Sequence, residues 1–363
     1  MSTTGVQRQF PCTNCGANLV FEPGQNALKC PYCQTENRIA VAAEPVEEID
    51  FRQALEQLRR AQEMRDVLTV RCSACGAEST LNTDITADCC PFCGSAIVAQ
   101  AGSRKLIRPR YLLPFKITRQ QAMASFRQWV DSLWFAPNDL RRLADASAVK
   151  GVYIPYWTYD CDTESWYTGA RGEDYWATET YTAYENGRHV TRTRQVRKTR
   201  WYPASGRVRD SFDDILILAS NSLPRSCTQR LEPWDLGNLV PYGDEYLAGF
   251  VAESYQVDLE QGFELAKPIM DETIRATIRR HIGGDHQRID TVQTRYDQIT
   301  FKHILLPLWI SAYRYRDRTF RFLVNARTGE VSGQRPYSGW KIFFAVLAGL
   351  LIAGAVAFLI SQR

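Results

Sequence analysis

The sequence lacks the short motifs by which enzymes are usually recognised. It holds no Gly-x4-Gly-Lys-Ser/Thr phosphate loop, no Gly-x-Gly-x-x-Gly turn after a strand, no His-Glu-x-x-His and no Gly-x-Ser-x-Gly elbow. Histidine is scarce: residues 189, 281, 286 and 303 have no spacing that makes a site. Ser338 to Lys341 matches Ser-x-x-Lys, but it sits at the entry to an apolar run, where a lysine has an interfacial explanation. The expectation is a protein that is not an enzyme. The opening MSTTGVQRQF has no apolar core of the kind a secretory signal needs, so the bulk of the chain is expected in a reducing, cytosolic compartment. Large net charge is missing too. A formal +4 on 363 residues argues against a wholesale nucleic-acid coat and leaves only local basic patches.

Cysteine is what the chain does have. Eleven of them in a reducing compartment are better explained by metal than by disulfides. Cys12, Cys15, Cys30 and Cys33 lie in CTNCGANLVFEPGQNALKCPYC, and the same spacing returns as Cys72, Cys75, Cys90 and Cys93 in CSACGAESTLNTDITADCCPFC. Two residues between thiols suit a tight turn whose sulfurs converge on one ion, and four thiolates close a tetrahedral shell around zinc. The pattern predicts two zinc ribbons holding two structural Zn2+ ions, with iron as the alternative occupant. A fragment of about 25 residues cannot bury enough apolar surface to fold alone, and metal binding supplies the deficit. Gly16, Gly76 and Gly94 follow cysteines where an unusual backbone angle lets amides approach sulfur; Gln34 departs from that pattern. Cys89 is an extra thiol, expected as a small side chain on a ribbon strand, with substitution for a neighbouring ligand as the alternative.

Between the ribbons, residues 47–64 carry Phe51, Leu55 and Leu58 on one helical face and predict a helical spacer, while 40–46 and 101–110 have the composition of linkers. From 111 to 336 the pattern is α+β. Thr118 caps a helix to about Trp134, Asn138 starts a shorter one, and a further helix is predicted from Pro268 to Ile282, closed by Gly283 and Gly284. The aromatic stretch after Gly151 predicts strands whose Tyr and Trp fill a sheet face, with a ligand or carbohydrate groove as the alternative. In RHVTRTRQVRKTRWYPASGRVR, Arg192 and Arg194 alternate with Thr191 and Thr193, as a strand with one basic face would, and no acid interrupts the run. A solvated face, an acidic protein partner, anionic lipid and nucleic acid are all open for it. Asn325 to Gly329 predicts a turn between two β runs.

Residues 342–360, IFFAVLAGLLIAGAVAFLI, carry no charge and at ~1.5 Å rise per residue reach across one hydrocarbon core, so the expectation is a single transmembrane helix with the N-terminal part facing the cytosol. Gly349, Ala353 and Ala357 make a small-residue stripe, expected as small residues facing lipid, with helix pairing as the alternative.

The duplicated cysteines resemble the zinc ribbons of TFIIB-type proteins and of primosomal protein N′, without the nucleotide-binding loop that a helicase motor needs. VKGVYIPYWTYD, followed by KHILLPLWISAYRYRDRTFRFLVNARTGEVSGQRPYS and the apolar run, resembles an uncharacterised bacterial family of membrane-anchored double zinc-ribbon proteins. The resemblance implies that the eight cysteines ligate metal and that SPFH-domain or phage-shock-type proteins are partners; no catalytic residue carries over. The expected organisation is α+β: ribbon 1 (1–38), helical linker (39–69), ribbon 2 (70–98), linker (99–110), a mixed, β-rich α+β domain (111–336) and a transmembrane helix (340–360). The expected function is a tail-anchored adaptor of the bacterial inner membrane that recruits protein partners through its ribbons. The alternative is a membrane-associated nucleic-acid-binding protein.

Overall fold

Two prolines, Pro155 and Pro307, fall inside the apolar runs YIPYW and LLPLW, where a missing N–H would ordinarily end a central strand. The computed structural model, which describes residues 10–39, 46–59, 65–72, 77–80, 87–90, 92, 96–98, 101–137, 149–185, 188–315 and 318–361, shows why both are tolerated. The first ribbon holds β1 (Val20–Glu22), β2 (Ala27–Lys29) and β3 (Glu36–Arg38), and β4 (Ile49–Asp50) leads into helix α1 (Phe51–Arg59). The second ribbon region holds β5 (Arg65–Arg71), β6 (Glu78–Thr80), β7 (Ala87–Cys89), β8 (Ala96–Val98) and β9 (Ala101–Leu106). Then come β10 (Tyr111–Leu112), α2 (Arg119–Ser132), β11 (Lys150–Glu185), β12 (Arg188–Leu218), β13 (Val240–Pro241), β14 (Val251–Ala252), α3 (Leu259–Ile282), β15 (His286–Tyr315), β16 (Arg318–Asn325), β17 (Val331–Gly333) and α4 (Gly339–Ser361).

β11 is the spine of a nine-stranded sheet, antiparallel to β12 on one side and to β15 on the other. The β12 ladder stops at the pair Tyr156–Leu218, and β14 takes over only at Val152 and Tyr153, so Pro155 falls in the gap where no N–H is wanted. Pro307 lies in the matching gap on β15, between β10, which ends at Leu305, and β16, which starts at Leu308. The freed carbonyls still serve, Pro155 accepting from the Ala219 amide at 3.0 Å and Pro307 from the Ala326 amide at 3.1 Å.

Burial falls along the spine. Residues 152–161 of β11 and 301–311 of β15 are buried on both faces, which is why apolar side chains dominate both stretches. One face packs against ribbon 1, α2, α1 and α3; the other packs against Cys72, Ala77, Cys90 and Phe92 of the second ribbon and the 223–234 segment. From Asp162 onward only the α3 face is covered. β15 begins at His286, opposite Gly172, so β11 and β12 continue beyond it as a two-stranded arm over Glu173–Glu185 and Arg188–Arg200.

The described chain is mostly β, 44% strand, which corrects the expected α+β balance. The reason is length: β11 runs for 36 residues and β12 for 31, and Thr, Tyr, Trp and Arg carry both out to the arm tip. Helix α2 matches expectation down to its cap, Gln121 N–H donating to Thr118 Oγ1 at 3.3 Å and Thr118 N–H to Gln121 Oε1 at 2.9 Å. Helix α3 starts earlier than expected, because Asp258 caps it by accepting the Gln261 amide at 2.8 Å and Pro268 is carried inside. Residues 101–106, expected within a linker, pair as β9 with β5. The helix expected from Asn138 lies outside the described residues.

The apolar C-terminal run does form a helix, α4, tied at its start by Lys341 Nζ donating to Ala136 O at 2.8 Å and exposed over 342–355. Among the described residues no helix is long and apolar enough to cross a membrane, and the expected transmembrane helix is corrected accordingly.

α3 approaches β11 closely at Gly262: the Tyr159 hydroxyl, which donates to Leu259 O at 2.7 Å, and Trp157 Cδ1 occupy the space a Cβ would take. Alanine normally gains about 1 kcal/mol over glycine inside a helix. Here both aromatic rings are fully buried, so Gly262→Ala is expected to lower stability by about 1–3 kcal/mol. Urea unfolding checks the sign, and a more stable variant would contradict this packing.

Candidate metal centre

Ribbon 1 is two knuckles joined by the β1–β2 hairpin. In the first, the Cys12 amide donates to Ala17 O at 2.7 Å and the Gly16 amide to Cys12 O at 2.9 Å; in the second, the Cys30 amide donates to Thr35 O at 2.9 Å and the Gln34 amide to Cys30 O at 3.1 Å. Each knuckle also turns an amide onto its first sulfur, Asn14 N–H to Cys12 Sγ at 3.4 Å and Cys33 N–H to Cys30 Sγ at 3.5 Å. The turn needs a left-handed residue after the second cysteine. Gly16 supplies it at φ 75°, and Gln34 takes the same conformation at φ 62° despite its side chain. The departure seen in the sequence is therefore one of residue type only.

The four sulfurs converge. Cys12 and Cys33 Sγ lie 3.4 Å apart, Cys15 and Cys30 Sγ 3.5 Å, and all four fall within 4.8 Å of one another. Zn–S bonds of about 2.3 Å in a tetrahedron give sulfur–sulfur edges of about 3.8 Å, so the donor set fits one zinc ion. Four protein ligands leave no open position, which makes the site structural. The cage is lopsided: Cys12 and Cys30 are buried in the main core with Phe21, Phe115 and Tyr153, whereas Cys15 is exposed.

Thr35 is a residue the spacing did not reveal. Its hydroxyl lies 3.1 Å from Cys33 Sγ and, with its own amide, holds that thiol down to about 5. Amides of Asn14 and Cys15 lower Cys12 as well. Cys15 goes the other way, up to about 12: the Ala17 amide pulls it down, but the sulfurs of Cys30 and Cys33 and partial burial outweigh it. Protons are thus shared unequally until a cation relieves the crowding, and zinc binding displaces those that remain.

The second set is seen in part. Cys72 and Cys90 are buried, and the Cys72 amide donates to Ala77 O at 2.8 Å, the bond that Cys12 makes with Ala17. Cys75 and Cys93 lie outside the described residues, as does the side chain of Cys89. One zinc site is supported by the geometry, and the second ion is not shown.

A further polar centre escaped the sequence altogether because its parts are far apart in the chain. Lys302, 5% exposed, reaches Asp214 Oδ1 at 2.8 Å, Glu48 Oε1 at 3.2 Å and Asp160 Oδ2 at 3.4 Å. It sits where the ladder skips a residue at Asp160 and where Asp214 and Gln298 adopt φ 53° and 50°. Burial alone would lower the ammonium, but the carboxylates, Asp214 foremost, more than offset it. Burial and the neighbouring Glu48 raise Asp160 to about 6, while Glu48, hydrogen-bonded to Asp160 and to Thr300, is lowered. The network pins Glu48, just ahead of β4, onto β15.

The remaining candidates have local partners: His281 Nδ1 lies 2.8 Å from the Tyr167 hydroxyl, His286 contacts Asp174, and buried His303 is held near 4 by desolvation, against the pull of its Ile107 O partner.

No family model and no solved structure matches the chain. The uncharacterised protein YdjG of Bacillus subtilis (strain 168) is similar, 27% identical over 347 residues, which is 94% of each chain.

Two outcomes are expected. Cys12→Ser with Cys30→Ser removes one equivalent of bound zinc per chain and lowers the thermal midpoint; elemental analysis showing unchanged zinc would refute the first cage. Asp160, whose folded value lies above its unfolded one, contributes stability that is complete below about pH 4 and is lost as pH rises through about 6. Carbon-13 NMR should place its midpoint near 6 and lower in Glu48→Gln; a midpoint near the ordinary aspartate value would contradict the burial described.

Proposed function

We propose that the protein is a zinc-stabilised adaptor that recruits a protein partner. The arm is the observation that carries this reading. β11 and β12 leave the body as a bare ribbon bearing Trp176 and Tyr184, 70% and 69% exposed, and exposed aromatics on a rigid element are what partner surfaces use as anchors. Recruitment was expected of the ribbons; in this reading the arm takes it and the ribbons serve as braces. Phe21 N–H donates to Ala248 O at 3.0 Å, Gly24 N–H donates to Phe115 O at 3.0 Å, and Phe92 is buried against the opposite sheet face, so both ribbons brace the body. In this reading Cys72, Cys75, Cys90 and Cys93 hold a second zinc ion, and the SPFH-domain or phage-shock-type proteins implied by the family resemblance are the first partners to try.

Nucleic-acid binding is the second reading, favoured by the acid-free cationic run from Arg188 to Arg209.

Replacing residues 176–197 with Asn-Gly keeps the hairpin base and removes the arm. Affinity purification of the full chain is expected to bring down specific proteins that this variant loses, with zinc content and thermal midpoint unchanged. An identical set of co-purifying proteins from both would refute recruitment through the arm.

A further inference from the structure

The arm's charge pattern stops one strand short. β12 lies at the sheet edge and pairs with β11 alone among the described residues. Its cations are answered from inside: Glu179 lies 3.3 Å from Arg194 and 2.9 Å from Lys198, and Asp174 pairs with Arg197. Across the ladder the order is acid on β11, cation on β12, then solvent. Cross-strand register puts Arg188, Arg192, Arg194, Lys198 and Arg200 on one face, and Thr191, Thr193, Gln195, Arg197 and Thr199 on the other, where Arg197 is the one paired with Asp174. The backbone is available as well. Pro203, opposite Ala170, has no N–H to give β11, so its position turns outward. By the strand's period of two, the amides of Thr191, Thr193, Gln195 and Thr199 turn outward with it.

We propose that this edge docks an extended acidic protein segment, which adds as a strand beside β12 with carboxylates at alternate positions facing Arg192, Arg194, Lys198 and Arg200. The proposal rests on the adaptor reading and names the partner chemistry. A second copy of the chain is disfavoured, because pairing two β12 edges sets cations against cations. A nucleic acid would use the cations but not the outward amides. A peptide strand uses both features.

The probe is a fluorescein-labelled (Glu-Thr)6 peptide titrated into the zinc-loaded full chain, with two further versions N-methylated on every glutamate or on every threonine. Saturable binding is expected. It should weaken at least tenfold for Arg192→Glu with Arg194→Glu, for Thr193→Pro, which leaves the charges in place and removes one outward amide, and for one N-methylated peptide but not the other. Circular dichroism and zinc content confirm that each variant is folded. Equal binding of both N-methylated peptides, or of a 12-nucleotide single-stranded DNA, overturns the proposal in favour of a general polyanion site. Unchanged binding by the variants, or none by the folded wild type, overturns it outright. Partner proteins lost on arm removal but retained by both variants would sink this inference and leave the adaptor reading standing.

Discussion

The pairing of β11 with β15 is the constraint on which the rest of the molecule depends. A one-residue slip of β11 against β15 would exchange its faces, sending Trp157 and Tyr159 away from α3 and moving Pro155 out of the gap that accommodates it. Irregularities near Asp160, Asp214 and Gln298 act as register marks, since a bulge can occupy only one place in a ladder. Lys302 holds that level together by facing carboxylates from three separate chain segments. A buried ammonium tolerates little misplacement when its charge must be matched.

On this spine the first metal cage is part of the core. Cys12 and Cys30 share a continuous apolar cluster with Phe126, Trp309 and Phe322. The ribbon therefore gains burial from the sheet that its own few residues cannot provide, and the sheet gains a rigid cover for one face. Cage and body share one core, in contrast to independent modules strung on linkers.

Local chemistry was legible in the sequence, and long-range placement was not. Cys12, Cys15, Cys30 and Cys33 declare themselves because the ion fixes their spacing within one hairpin. Thr118 and the Gly283–Gly284 stop are legible for the same reason, each being decided within a turn of chain. The start of α3 was misplaced because Pro268 suits a first helical turn, whereas the structure carries it inside and relies on Asp258 upstream. Alternation of Arg192 and Arg194 with threonine correctly implied a basic strand face, yet nothing local says that β11 and β12 outrun their third strand. Glu48, Asp160, Asp214 and Lys302 carry no motif, and only the fold assembles them. The apolar terminal run was likewise weighed on composition alone.

From Glu173 to Glu185 the arm runs roughly 40 Å at ~3.3 Å per residue, comparable to the width of a small domain. In the adaptor reading, a partner gripped near its tip would be held at a stand-off from the ribbon-braced body. Its position relative to the ribbons would then be set by two hydrogen-bonded strands, the hairpin acting as a boom that fixes spacing.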